Sequence, residues 1–304
     1  MGFNYWAWVA SHVALTNFPI KKACSFGRQV IHVHDFDREG TELSQLGLTD
    51  YLAPIGSDSL PYADERYFKD LGVNVLSIDY SDYEGADIIA DLSKDPSENS
   101  EIKRLSGSFD AVFDIGTSEH VGNTFASISN AFALLRDGGY YFYDLPYSGW
   151  LNHGLIQFCP SYFAELSRTN ELNMLFQFAH PTCREGLIVF ARDNVNYFPN
   201  CITSLFGCIQ KTGPLLKTLM PPVQTFCDIS GPIDPSMLGE LKGERNMPLL
   251  NKLAPDDFIS YMNSSKVFDL CWSNWNNTQI MCQRNIFNPM QNDTPSSSIS
   301  PTIF

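Results

Sequence analysis

Apolar and polar positions alternate between two periods along this chain: short buried runs of strand length, and stretches repeating every three to four residues. In YWAWVASHVALT (5–16), Trp6, Val9, Ala10 and Val13 share one helical stripe, which predicts a lid or packing helix with His12 in a structural position beside it. IKKACSFGRQ ends an apolar run in Gly27 and predicts the first strand and its turn. The run from Val30 to Leu60 has no clean period and reads as a loop or short helix shielding a pocket. His32, His34 and Asp35 within it lack further ligands at metal-site spacing. SDSLPYADERYFKDLG predicts a helix capped by Asp58 or Ser59, with Pro61 in its first turn, Tyr67, Phe68 and Leu71 inward, and Gly72 as the stop. VNVLSID and EGADIIADLS predict strands ending in Asp79 and Asp91.

FDAVFDIG is the next buried strand. In the helix after it Phe125, Ile128, Phe132 and Leu135 recur at helical spacing, and Asp137-Gly138-Gly139 ends it. GYYFYDLP is the fifth strand, Pro160 starts a helix, and NMLFQFAH and GLIVFARD predict a closing antiparallel pair. The pattern is that of an α/β fold: a Rossmann-like, seven-stranded mixed sheet with helices on both faces, ending near Arg192. This gives a main domain over 1–195 and a mostly irregular or helical extension over 196–287, in which 203–218 and 255–270 read as helical. Trp272 and Trp275 suggest that the extension packs on the main domain, and the polar, Pro/Ser-rich 288–304 reads as a disordered tail.

Composition narrows the partners. A net charge of −14 argues against a nucleic-acid backbone or an anionic membrane surface, both of which need basic residues. The eight cysteines contain no C-x-x-C pair, so reduced thiols in a cytoplasmic protein are expected rather than a zinc site or disulfide framework. No segment approaches eighteen apolar residues, and no signal peptide is evident.

The candidate chemistry collects where parallel strands end, the place such sheets bind ligands. The turn at Gly27 lets backbone N–H groups approach a cofactor, and Arg28 could pair with a carboxylate on it. Asp79, with Tyr80 beside it, can accept both hydroxyls of a ribose; Asp91 can accept from an adenine amino group while Leu92 forms an apolar wall. Capping a turn is the alternative for Asp91. No G-x-G-x-x-G occurs near the first turn, which argues against a nicotinamide enzyme. Asp114, Gly116 and Thr117 line the next strand end, and Asp144, Tyr147 and Gln157 the one after, where an acceptor would sit. Glu119, His120 and His153 are candidate acid–base groups; His153, in a Gly-flanked polar loop, is the leading one, while helix capping is the alternative for Glu119 and His120. His180, between a strand and Pro181, reads as structural.

FDAVFDIGTSEHVGN, LLRDGGYYFYDLP and NHGLIQFCPSYF together resemble a bacterial and phage family of class I S-adenosylmethionine-dependent methyltransferase-like proteins, which carry G-T-x-E-H-V and N-H-G-x-x-Q-F-x-P motifs. SFGRQ and SIDYSDYEGADIIADLS fit the same pattern, so the resemblance spans roughly Cys24 to Asp193. It implies a Rossmann-like sheet and S-adenosylmethionine as cofactor, with substrates that are often undefined; the leading expectation is methyl transfer to a small molecule or saccharide, at oxygen, and a catalytically idle relative that binds cofactor or a protein partner is the alternative. The chain departs from the pattern at Ser118, Gly122, Leu155, Ile156 and Cys159, which bear on the acceptor pocket.

Overall fold

The computed structural model describes residues 2–33, 43, 46–52, 61–181, 188–189, 202–213 and 219–222. His34, Asp35, the Asp58/Ser59 cap, 255–270, Trp272, Trp275 and the 288–304 tail lie outside them.

The elements are β1 (Gly2–Phe3), α1 (Tyr5–Asn17), β2 (Lys22–Phe26), β3 (Val30–Ile31), α2 (Tyr67–Asp70), β4 (Asn74–Asp79), β5 (Ile88–Ile89), α3 (Ser100–Leu105), β6 (Phe109–Ile115), α4 (Thr124–Leu134), β7 (Leu135–Ser148), α5 (Pro160–Thr169), β8 (Asn173–Pro181), β9 (Ile188–Val189) and β10 (Thr203–Gln210). Eight strands form one sheet in the order β5-β4-β2-β6-β7-β10-β8-β9. From β5 to β7 all neighbours are parallel. β10 then runs antiparallel between β7 and β8, and β9 pairs antiparallel at the edge. This is the Rossmann-like mixed sheet that the strand pattern predicts, with one strand more than the seven expected.

The sheet is covered on both faces, and successive residues of its strands point into different cores. Ala111, Phe113 and Ile115 of β6, with Tyr140 and Phe142 of β7, pack with Phe3, Trp8, Tyr67 and Phe68. Phe109 and Val112 of β6, with Tyr141, Tyr143 and Leu145 of β7, pack with Ile102, Ile128, Phe132 and Phe163 from α3, α4 and α5. Burying each such ring contributes about 1.5–3 kcal/mol.

Four expectations change. Thr203–Gln210 is a strand, not a helix; its near-continuous burial on both faces removes the period-two signal that would have marked it. α1 is not a one-sided lid, because ten of its thirteen residues are buried, Trp8 completely. The helix expected before Gly72 shortens to Tyr67–Asp70, although Gly72 does stop it at φ +69°. Asp137, Gly138 and Gly139 lie inside β7, at a register irregularity opposite Phe109 and Ala111, rather than ending α4.

β10 also shows why one glycine is needed. Gly207 is the register partner of both Tyr143 and Gln177. The Tyr143 hydroxyl crosses over it to donate to Gln177 Oε1 at 2.7 Å, and Gln177 Nε2 donates to Pro160 O at 3.1 Å. A Cβ at Gly207 would fall 2.2 Å from that hydroxyl.

Candidate functional site

The carboxyl ends of β2, β4, β5, β6 and β7 lie along one rim of the sheet, because these strands are parallel neighbours. The turn after β2 is held by Gly27, at φ +69°, whose N–H donates to Ile78 O at 2.7 Å. Gln29 is buried and donates from Nε2 to Phe26 O at 2.7 Å. Thr117, just past β6, donates its hydroxyl to the same Phe26 carbonyl at 2.7 Å and ties the two strand ends together. Gly116 turns at φ +76° and donates its N–H to Asp144 O at 2.9 Å, joining β6 to β7.

Asp79 ends β4 half-buried and accepts from Ser81 N at 3.3 Å, a long bond that leaves its carboxylate open to further donors. Tyr80 beside it is 75% exposed. Asp91 accepts from Ser93 N at 3.0 Å and Ser93 Oγ at 2.6 Å, and these bonds lower its pKa. It therefore caps a turn, and it lies two residues beyond β5, which ends at Ile89 rather than at Asp91. Leu92 is buried, with its carbonyl accepting from Asn130 Nδ2 at 3.0 Å.

Arg28 is engaged within the protein. Its guanidinium pairs with Asp64 at 3.0 Å and Glu65 at 3.1 Å, donates to Glu84 O at 3.1 Å, and stacks 3.8 Å above the Tyr62 ring. Those carboxylates lie more than thirty positions downstream, so no local motif announces them.

Asp114 is fully buried. It accepts from Ser118 N at 3.1 Å, from the Ser118 hydroxyl and from the Tyr141 hydroxyl at 2.7 Å. Burial raises its pKa against those bonds. The Ser118 hydroxyl also meets Ser127 at 2.7 Å. The departure at Ser118 thus serves a sealed polar network that fixes the loop after β6.

That loop carries the chemistry. Ser118–His120 is a 3-10 turn, and α4 begins later, capped by Asn123, whose Oδ1 accepts from Ala126 N at 3.3 Å. Capping, the alternative for Glu119 and His120, falls to Asn123. His153 comes from the loop after β7 and meets them. Glu119 Oε1 lies 3.7 Å from His120 Nε2 and 3.9 Å from His153 Nε2. The two imidazoles cross at 70° with centroids 5.0 Å apart, and Trp150 packs against His153 at 4.6 Å. Trp150 is anchored by its indole N–H, which donates to Thr203 O at 2.9 Å.

Gly154 lets the two loops approach. At φ +69° it lies over Glu119, and Leu155 N donates to Glu119 O at 2.7 Å. The Glu119 side chain is 1% exposed, whereas His120 and His153 are 43% and 45% exposed. Glu119 Oε2 is buried with no hydrogen-bond partner. Burial pushes the Glu119 carboxyl up to about 8, with the charges on Asp114 and Asp144 adding to it. Burial and the neighbouring His153 lower His120.

The remaining expected residues divide. Asp144 is buried and paired with His180 Nε2 at 2.9 Å, a contact that assigns His180 its structural place. Tyr147 is half-buried, and burial pushes its hydroxyl up to about 12. Gln157 is exposed. Glu119, His120 and His153 each place a potential ligand atom within 4.8 Å of the others, a grouping that linear spacing does not disclose because its members come from two segments.

No family model matches the chain, and no curated protein matches it. Solved structures similar to it include a Burkholderia thailandensis 1,6-didemethyltoxoflavin-N1-methyltransferase with bound S-adenosylhomocysteine (15% identity, 67% of this chain and 76% of that one, TM-score 0.38). Others are a SAM-dependent methyltransferase from Archaeoglobus fulgidus (9%, 64% and 87%, TM-score 0.37) and the [4+2]-cyclase SpnF (9%, 68% and 80%, TM-score 0.40). At these identities and scores the likeness does not bear on what this chain acts on. Among the described residues, no helix is long and apolar enough to cross a membrane.

Proposed function

We propose that the chain is an S-adenosylmethionine-dependent methyltransferase acting on a small molecule or saccharide, at oxygen. One observation carries this reading: a cofactor-type strand-end rim and an acid–base cluster adjoin at the β6 end, where Thr117 faces the Gly27 turn and Glu119, two residues on, meets His120 and His153.

In this reading the Gly27 turn and Thr117 flank the amino-acid end of the cofactor. Asp79 accepts the ribose hydroxyls, and Asp91 and Leu92 meet the adenine. Gly116 and the buried Asp114 network hold the floor, while Asp144, Tyr147 and Gln157 border the acceptor. Methyl transfer is an in-line displacement in which the acceptor oxygen forms the O–CH3 bond, the S–CH3 bond breaks and the sulfonium becomes a thioether. Alignment supplies much of the acceleration. The acceptor hydroxyl gives its proton to His153, which Trp150 backs and which stands 3.9 Å from Glu119.

Asp79→Asn tests the cofactor half: it should weaken S-adenosylhomocysteine binding by about tenfold or more, the loss of a charge-assisted pair of hydrogen bonds. Binding equal to that of the unmodified chain would remove Asp79 from the site. His153→Ala and Glu119→Gln test the chemical half. Turnover of a true acceptor unchanged in both would return the chain to the second reading, a catalytically idle binder. The engagement of Arg28 by Asp64 and Glu65 favours that second reading, since it takes up the cation nearest the first turn.

A further inference from the structure

We propose that Glu119, His120 and His153 form a binding site for a divalent transition-metal ion of the zinc or ferrous type, open to solvent on one side. Two observations carry it. The donor set of two imidazoles and one carboxylate is the one such ions take when they keep a coordination position free for substrate. The three ligand atoms lie within 4.8 Å of one another, with the carboxylate oxygen 3.7 and 3.9 Å from the imidazole nitrogens. Ligands about 2.0–2.2 Å from a tetrahedral ion stand about 3.3–3.6 Å apart, so closing those two pairs takes a few tenths of an ångström.

The second observation is the carboxylate itself. Glu119 is 1% exposed, and its Oε2 has no hydrogen-bond partner. A buried carboxylate with an unsatisfied oxygen is unfavourable, and an ion held by that carboxylate supplies the opposite charge it lacks. Both imidazoles are about half-exposed, so one side of the cluster faces solvent.

The backbone supports the same geometry. Gly154 and the Leu155 N–H hold the Glu119 backbone, and Trp150 backs the His153 ring. With an ion bound, the imidazoles would be ligands rather than proton acceptors; the cation would lower the pKa of a coordinated acceptor hydroxyl, whose proton would pass to solvent on the open side. That role in turnover rests on the methyl-transfer reading; binding of the ion does not.

The test is titration of the chelator-treated full chain with Co2+, followed by visible spectroscopy, and with Zn2+ by calorimetry. One ion per chain is expected, with d–d bands and no thiolate charge-transfer band. His153→Ala and Glu119→Gln should each weaken binding by more than about tenfold, since even a ligand's hydrogen-bond partner is worth about 10- to 100-fold. Cys159→Ser, which removes an exposed thiol, should leave binding unchanged. Failure to bind either ion, binding indifferent to both cluster variants, or a thiolate band lost in Cys159→Ser would each overturn the proposal. His153 is exposed, so its variant reads out binding even if Glu119→Gln alters folding. Calorimetry with S-adenosylhomocysteine on the same preparations separates the two readings: cofactor heat without ion binding sinks the metal site alone, and ion binding without cofactor heat sinks the methyl-transfer reading alone.

Discussion

Replacing Gly154 with alanine puts a methyl group where Glu119 already sits. A Cβ there would lie 2.8 Å from Glu119 Cγ, 3.1 Å from Glu119 O and 3.2 Å from Glu119 Cβ, all on a buried residue. The backbone term is separable, because Gly72 has the same φ of +69° with nothing within 4 Å of its would-be Cβ. For alanine the left-handed conformation costs about 1–2 kcal/mol, offset in part by about 0.4–1 kcal/mol from the stiffer unfolded chain. Gly72→Ala should therefore lose at most about 1.6 kcal/mol. Gly154→Ala carries the same loss plus about 1–3 kcal/mol of overpacking against Glu119, a total of roughly 1–4.6 kcal/mol. Urea unfolding followed by circular dichroism reads both, with the midpoint of Gly154→Ala well below that of Gly72→Ala at an unchanged slope. Equal midpoints would mean that the loop after β7 does not press on Glu119, and the argument for a preassembled cluster would fall with it.

Other outcomes follow from the same structure. Gly207→Ala should be among the most destabilising single changes, by more than about 3 kcal/mol, because the new methyl meets a Tyr143 ring fixed by its bond to Gln177; a thermal midpoint within a few degrees of the parent would contradict the strand register. Asp110 accepts from Lys21 N at 2.8 Å, Lys22 N at 2.9 Å and the Arg136 guanidinium. Burial raises its pKa, but these bonds outweigh that and leave it below the ordinary 3.8. A depressed carboxyl contributes stability that is present above 3.8 and lost as pH falls through its folded value. Asp110→Asn should thus lose about 1.5–3 kcal/mol at neutral pH, and the gap to the parent should close in acid. A gap that is constant with pH would refute the charge as its cause.

What the sequence discloses here depends on how local the cause is. Gly27 and Gly72 are legible because a left-handed turn is a property of a few residues, and Pro160 because it opens a helix. β4 is legible as an apolar run closed by Asp79. β10 is not: buried on both faces between β7 and β8, it has no polar face to give it a period. The candidate residues are individually visible in the sequence, Glu119 and His120 after the β6 run and His153 in its Gly-flanked loop. Their meeting is not, since it is set by the parallel pairing of β6 with β7 and by the backbone of Gly154. The same holds for Arg28, whose partners Asp64 and Glu65 become neighbours only through the fold.

Calorimetry of the full chain with S-adenosylhomocysteine, run beside NAD, decides whether the strand-end rim holds S-adenosylmethionine. Saturable heat with S-adenosylhomocysteine at one site per chain, reduced by Asp79→Asn, and none with NAD is the expected result. No heat with S-adenosylhomocysteine, or heat with NAD alone, would contradict it.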